Sequence, residues 1–161
     1  MMTDVEIPTS IYDITVKDLH SNDVKLDKYR GKCMLIVNIA SECKLMKENF
    51  ARLRALKKKF SNDLAILFFP SNQFMGMPQK DSSEIIGFLD RENVDFAETF
   101  AMVCVNGTEA DGLFKYLKRE RPGIISWNYH KFLVSKSGQK VERFSHRNLF
   151  LYMENEIKQC M

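Results

Sequence analysis

The side chains best suited to nucleophilic chemistry in this 161-residue sequence are four cysteines, Cys33, Cys43, Cys104 and Cys160, and their settings differ. Cys43 ends the run Asn38-Ile39-Ala40-Ser41-Glu42-Cys43, which leaves an apolar strand-like segment and stops just before a helix-like one. A thiol in such a loop meets backbone N–H groups and the positive end of a helix dipole, and Lys44 and Lys47 add positive charge within a turn. All three favour a thiolate, the form that attacks a peroxide oxygen. The residues alone leave a reactive thiol and an inert loop cysteine equally open. Cys33 and Cys104 lie inside apolar strand patterns and read as core residues, whereas Cys160 is a thiol without an assigned setting. No CxxC pair and no Cys/His zinc spacing occurs, so neither a disulfide scaffold nor a metal site is expected. Trp127 and Asn128 are adjacent at a strand entrance and present two N–H donors in the same general direction.

The elements that must position these groups follow from hydrophobic spacing. Cys33 to Val37 and Leu64 to Phe69 are continuously apolar, as strands covered on both faces would be. Between them Phe50, Leu53, Leu56 and Phe60 recur at helical spacing, so residues 32–69 read as a βαβ unit with parallel strands and its chemistry at their C-terminal ends. Ile11 to Leu26 reads as an N-terminal hairpin, Ser82 to Asp90 as a short helix and Phe100 to Val105 as a third core strand. Ala110 to Lys118 reads as a helix, Tyr129 to Val134 and Gln139 to Phe144 as a second hairpin, and Leu149 to Cys160 as a last helix. This order is that of a single α/β domain over residues 1–161, a thioredoxin-like sheet with an N-terminal β-hairpin extension.

Composition sets the outer bounds. With 45% hydrophobic and 28% charged residues the chain suits one globular domain. A net charge of +3 identifies no nucleic-acid or acidic-membrane partner. Arg52, Arg54, Lys57, Lys58 and Lys59 on the first long helix read as a solvated face, and no base-reading motif accompanies them. No apolar run approaches a membrane span, so no stable membrane insertion is expected. Met1 to Glu6 lacks a basic region followed by an apolar one, which makes the reducing cytoplasm the expected location, with free thiols.

Several ordered motifs resemble the glutathione peroxidase family, from Ser10 to about Lys158. They are Leu26-Asp27-Lys28-Tyr29-Arg30-Gly31-Lys32, then Leu35 to Cys43, then Phe69-Pro70-Ser71-Asn72-Gln73-Phe74, and finally Trp127-Asn128-Tyr129 with Lys131-Phe132-Leu133-Val134. The resemblance implies a thioredoxin-like fold and reduction of hydrogen peroxide and organic or lipid hydroperoxides, with Cys43 as the peroxidatic residue. It places Trp127 and Asn128 as two of the three donors that hold the thiolate and protonate the departing oxygen.

Departures from the pattern are informative too. Met77 stands where the family has its catalytic Gln, and a thioether donates no hydrogen bond; Gln79, two residues later, replaces it only if the loop is reshaped. Lys44-Leu45-Met46 replaces Gly-x-Thr. These changes motivate the rival expectation of a weakened family member serving as a redox sensor or binding protein. The thioredoxin-dependent branch carries cysteines where this chain has Ser71 and Asp90, so the resemblance favours glutathione or another small thiol as reducing co-substrate, with no bound cofactor. The short connection from Lys118 to Ser126 lacks the insertion of tetrameric members, which points to a monomer of the phospholipid-hydroperoxide type. In that branch Lys44, Lys47, Lys118, Arg119 and Arg121 are candidates for a basic face that admits bulky substrates.

Overall fold

The computed structural model describes residues 6–161, so the reading of Met1 to Glu6 falls almost wholly outside the described residues. A hairpin of β1 (Thr15–Lys17) and β2 (Asp23–Lys25) precedes the central sheet. The sheet is built from β3 (Cys33–Ile39), β4 (Leu64–Pro70), β5 (Glu98–Thr99), β6 (Lys131–Val134) and β7 (Val141–Phe144), in the order β5-β4-β3-β6-β7. The helices are α1 (Met46–Phe60), α2 (Ser82–Arg91), α3 (Gly112–Glu120) and α4 (Phe150–Gln159).

β3 and β4 pair in parallel over seven residues, from Cys33 opposite Leu64 to Ile39 opposite Pro70, and every residue of both is buried. Such a strand needs apolar side chains on both faces, which is why these segments read as unbroken apolar runs. Alternation sends Met34, Ile36, Ala65, Leu67 and Phe69 to one core, shared with Leu113, Phe114 and Leu117 of α3 and with Ile14 and Val16 of the hairpin region. Cys33, Leu35, Val37, Leu64, Ile66 and Phe68 face the other, shared with Phe50, Leu53 and Leu56 of α1 and Met153 and Ile157 of α4. The helical stripe therefore docks α1 on the sheet, with the Phe50 ring stacked on Phe68 at 5.4 Å. β6 and β7 run antiparallel to their neighbours and complete the thioredoxin-like α/β arrangement expected from the sequence.

One expected strand is not there. Beyond β5, residues Phe100 to Val105 form no continuous strand, and their β-type pairing is limited to isolated bridges of Phe100 with Asp18 and Cys104 with Ala110. Their backbone groups are committed elsewhere: Ala101 N donates to Lys17 O, Val103 N to Pro70 O, and Val105 N to the Gln73 side chain. Cys104 is accordingly half-buried rather than a core residue, while Cys33 is fully buried as expected.

The α1 cations form a largely exposed face, as expected, and several of them are tied to neighbours. Arg54 lies over the Phe96 ring, Lys57 donates to the carbonyls of Ser61 and Leu64, and Lys59 pairs with Glu154.

Two buried bases make stability depend on pH. His130 is buried beside the Arg143 guanidinium, whose Nε donates to its Nε2 at 2.9 Å; desolvation first and that cation second bring its pKa down to about 3. Lys131, buried under Phe150 with Nζ donating to Tyr129 O, is brought down by desolvation to about 7. The unfolded chain binds a proton at each position that the folded chain refuses, so stability rises with pH from about 3 to 6.5 through His130 and from about 7 to 10.4 through Lys131. His130→Gln keeps the acceptor without the titration, and urea denaturation at pH 5 and 7 is expected to show it losing about 1 kcal/mol less on acidification than the parent.

Candidate active site

β3 ends at Ile39, and the chain turns through Ala40 to Leu45 before α1 begins. Cys43 occupies this turn, half-buried, with its carbonyl accepting from Met46 N at 2.9 Å. No side chain caps α1 at Leu45; instead Asn49 donates back to the Leu45 carbonyl and holds the turn against the helix. The sequence placed Cys43 in a strand-to-helix loop, and the structure does the same.

A second loop clamps the first. Glu42 N donates to Gly76 O at 2.8 Å. Gly76 has φ of +95°, and a Cβ there would sit 2.8 Å from the Glu42 carbonyl oxygen, so both the left-handed backbone and the close approach demand glycine. Gly76→Ala is expected to push the Cys43 turn away, costing about 1–3 kcal/mol of stability and lowering turnover about tenfold; thermal denaturation with steady-state peroxidase assays checks it.

Asn128 is fully buried, and its Nδ2 donates to Met75 O at 2.7 Å, while its Oδ1 has no protein partner. The same loop is thus held by Glu42 on one side and Asn128 on the other, which brings residues 42–43, 75–77 and 128 together. Asn38, at the end of β3, donates through Nδ2 to Trp127 O, and its carbonyl accepts from Tyr129 N. Tyr129 adopts φ of +64°, and its hydroxyl donates to Ala40 O. Burial holds that phenol protonated.

Met77 is buried in a small apolar cluster with Ala40 and Ile85, against which Cys43 packs. A thioether side chain therefore lies in the apolar surroundings of the thiol. Gln79 does return to the cysteine loop, but its Oε1 accepts from the Ser41 hydroxyl. Trp127 is half-buried with its ring 6.1 Å from Phe74, and its indole N–H has no hydrogen-bond partner among the described residues.

Trp127 also lines an open cleft of about 690 Å³ with Lys44, Leu45, Ser126, Ser145, His146 and Arg147. His146 and Arg147 were not legible as site residues, because only the turn after β7 brings them beside Lys44. The broader basic face expected from sequence is largely absent. Lys47 pairs with Glu92, Lys118 donates to Asn106, Arg119 to the carbonyls of Ile7 and Pro8, and Arg121 to Val141 O and Glu142. Lys44 alone of the five lines the cleft. Lys47 is drawn toward α2 rather than toward the thiol.

Gln73 and Asn106 were also missed. Gln73 Oε1 accepts from Val105 N and Asn106 N, and Asn106 donates to Ile125 O while accepting from Ile125 N. The pair splints the segment that delivers Trp127; a Gln beside an apolar strand and an Asn-Gly turn were the sequence signals. Among the described residues, no cluster suited to a metal ion occurs, and no helix is long and apolar enough to cross a membrane.

Comparison with known proteins bears directly on this geometry. A family model described as glutathione peroxidase matches residues 11–118. The chain is 43% identical over 162 residues to the probable glutathione peroxidase 2 of Arabidopsis thaliana, covering 97% of this chain and 95% of the relative. It is 41% identical to a probable phospholipid hydroperoxide glutathione peroxidase of Nicotiana sylvestris, covering 96% and 94% of the two. The crystal structure of T. cruzi GPX1 superposes with a TM-score of 0.77 at 27% identity, over 94% of this chain and 96% of that one. On the family model over residues 11–118 and the 43% identity along nearly the whole chain, the chain belongs to the glutathione peroxidase family.

Proposed function

We propose that the chain is a thiol-dependent peroxidase in which Cys43 reduces hydrogen peroxide and organic or lipid hydroperoxides. The observation that carries the assignment to Cys43 is its position. It is a half-buried thiol on the turn between β3 and α1, whose Glu42 is held by Gly76 in a loop that Asn128 also fastens, and whose neighbours Lys44 and Leu45 line a cleft with Trp127.

The Cys43 thiolate attacks the outer peroxide oxygen, the O–O bond breaks, and the leaving alkoxide takes a proton to depart as an alcohol, or as water from hydrogen peroxide. Trp127 supplies an indole N–H at the cleft, and Asn128 has a second Nδ2 hydrogen beyond the one given to Met75 O. These are the donors for the departing oxygen. Cys43 is left as a sulfenic acid. A thiol then displaces water to give a mixed disulfide, and a second thiol releases Cys43 and leaves as the oxidised disulfide.

An external thiol is the reductant. α2 offers Asp90 and the loop offers Ser71 where a resolving cysteine would be needed, and Cys160 lies against Cys33 at the opposite end of β3. Six residue steps along that strand separate the two ends by about 20 Å, far beyond disulfide reach. Glutathione suits the cleft, since its carboxylates meet Lys44 and Arg147 there. The relatives named for phospholipid hydroperoxide support a bulky substrate. The short connection from Lys118 to Ser126 supports a monomer, and four free thiols suit the reducing cytoplasm. Steady-state assays with glutathione and thioredoxin compared as reductants test the reading: glutathione-driven turnover is expected to exceed thioredoxin-driven turnover, and the reverse order would overturn the choice of reductant.

A further inference from the structure

The peroxidase account leaves one cysteine pair unused. Cys33, the first residue of β3, has no solvent exposure, and its Sγ lies 2.8 Å from the Sγ of Cys160 at the cap of α4. The two are separated by 127 residues in sequence. Their approach is closer than ordinary non-bonded sulfur atoms make, and only a short movement from the ~2.05 Å of a disulfide. Backbone contacts pin the partners: Lys136 N donates to Cys160 O at 3.2 Å, and Cys160 N donates to Glu156 O and Ile157 O.

Access is one-sided. Cys160 is half-buried and lines a cavity of about 550 Å³ with Ser135, Lys136, Glu156 and Gln159, whereas Cys33 is fully buried behind it. The contact also divides the acidity of the pair. A hydrogen bond from Cys160 and the neighbouring Lys136 pull Cys33 down, and the same contact with burial pushes Cys160 up. The pair thus loses its first proton more readily than its second.

We propose that Cys33 and Cys160 form a second redox site, a dithiol that closes to a disulfide under hydroperoxide and ties α4 to the first core strand. The oxidant reaches Cys160 from the cavity. The Cys160 proton passes to the Cys33 sulfur across the 2.8 Å contact, the Cys160 thiolate so formed takes one peroxide oxygen, the O–O bond breaks, and the alkoxide leaves as alcohol with that proton. The Cys33 thiolate then attacks the Cys160 sulfur, the S–S bond forms, the S–O bond breaks, and hydroxide leaves as water with the second proton. The sum is two thiols and one hydroperoxide giving one disulfide, one alcohol and one water. The site goes beyond peroxidase turnover at Cys43 and does not depend on it.

The Cys43→Ser protein isolates the pair. Hydrogen peroxide treatment followed by non-reducing peptide mapping is expected to give one linked pair, Cys33 with Cys160, with two native thiols lost by titration. The melting temperature should rise by about 5–15 °C and return to its starting value on reduction. Cys160→Ser in the same background should abolish the linked peptide and the shift, while Cys160→Ser alone should retain peroxidase turnover. Persistence of both thiols in peroxide-treated protein, or linkage through Cys104 instead, would overturn the proposal.

Discussion

Cys43→Ser is expected to lower hydroperoxide turnover by at least about 10³-fold while leaving the fold and melting temperature nearly unchanged. A hydroxyl at this position is not ionised at neutral pH and is a far weaker nucleophile toward a peroxide oxygen than a thiolate. Cys43 is half-buried on a turn whose hydrogen bonds are all made by backbone and by neighbours, Glu42 to Gly76, Met46 to Cys43 O and Asn49 to Leu45 O. Replacing sulfur by oxygen breaks none of them. Turnover measured with glutathione in excess, alongside thermal denaturation, separates loss of chemistry from loss of structure. Residual turnover within tenfold of the parent would remove Cys43 from the mechanism.

The second large effect runs in the other direction. Met77→Gln is expected to raise the second-order rate with hydroperoxide by about tenfold. Met77 lies in the apolar cluster against which Cys43 packs, and Gln has nearly the same length, so an amide N–H is placed where the thioether now offers none. Removing one donor aimed at developing charge commonly costs 10²–10³-fold, and restoring one in a site not built around it should recover part of that. Ala40 and Ile85 give the new amide no partner, so about 1 kcal/mol of stability is expected to be lost. An unchanged rate would mean that Trp127 and Asn128 suffice and that the position of Met77 does not limit the chemistry.

Much of this architecture was legible before any coordinates. The apolar runs of β3 and β4 and the Phe50, Leu53, Leu56 spacing of α1 report burial directly, and burial is what makes those elements. The strand-to-helix placement of Cys43 follows from them. What escaped reading depends on contacts distant in sequence. Residues Phe100 to Val105 are apolar enough for a strand, yet Lys17, Pro70 and Gln73 take their backbone donors, and no local pattern announces that competition. His146 and Arg147 reach the cleft only because β7 ends beside Trp127. The basic side chains illustrate the converse error, since Lys118, Arg119 and Arg121 look free in sequence and are spent on carbonyls, amides and carboxylates of the fold. Cys33 and Cys160 could not be paired by spacing, because connectivity among cysteines is set by tertiary packing.

The same contacts explain how the segments around Cys43 are held together. Asn38 and Tyr129 fasten the Trp-Asn segment to the end of β3, and Gly76 and Asn128 fasten the Met75–Met77 loop between them. Each tie is a main-chain hydrogen bond or a buried amide, so the spacing around the thiol is set by backbone rather than by mobile surface charges.

The most direct test of the account is a single turnover without reductant. Reduced Cys160→Ser protein, in which the second dithiol is disabled, is mixed with one equivalent of hydrogen peroxide, trapped, and examined by peptide mass spectrometry before and after addition of glutathione. The account predicts one added oxygen on the Cys43 peptide, its conversion by glutathione to a mixed disulfide at Cys43, and return of the free thiol with further glutathione. Peroxide consumed at the enzymatic rate while the Cys43 peptide stays unmodified would contradict it.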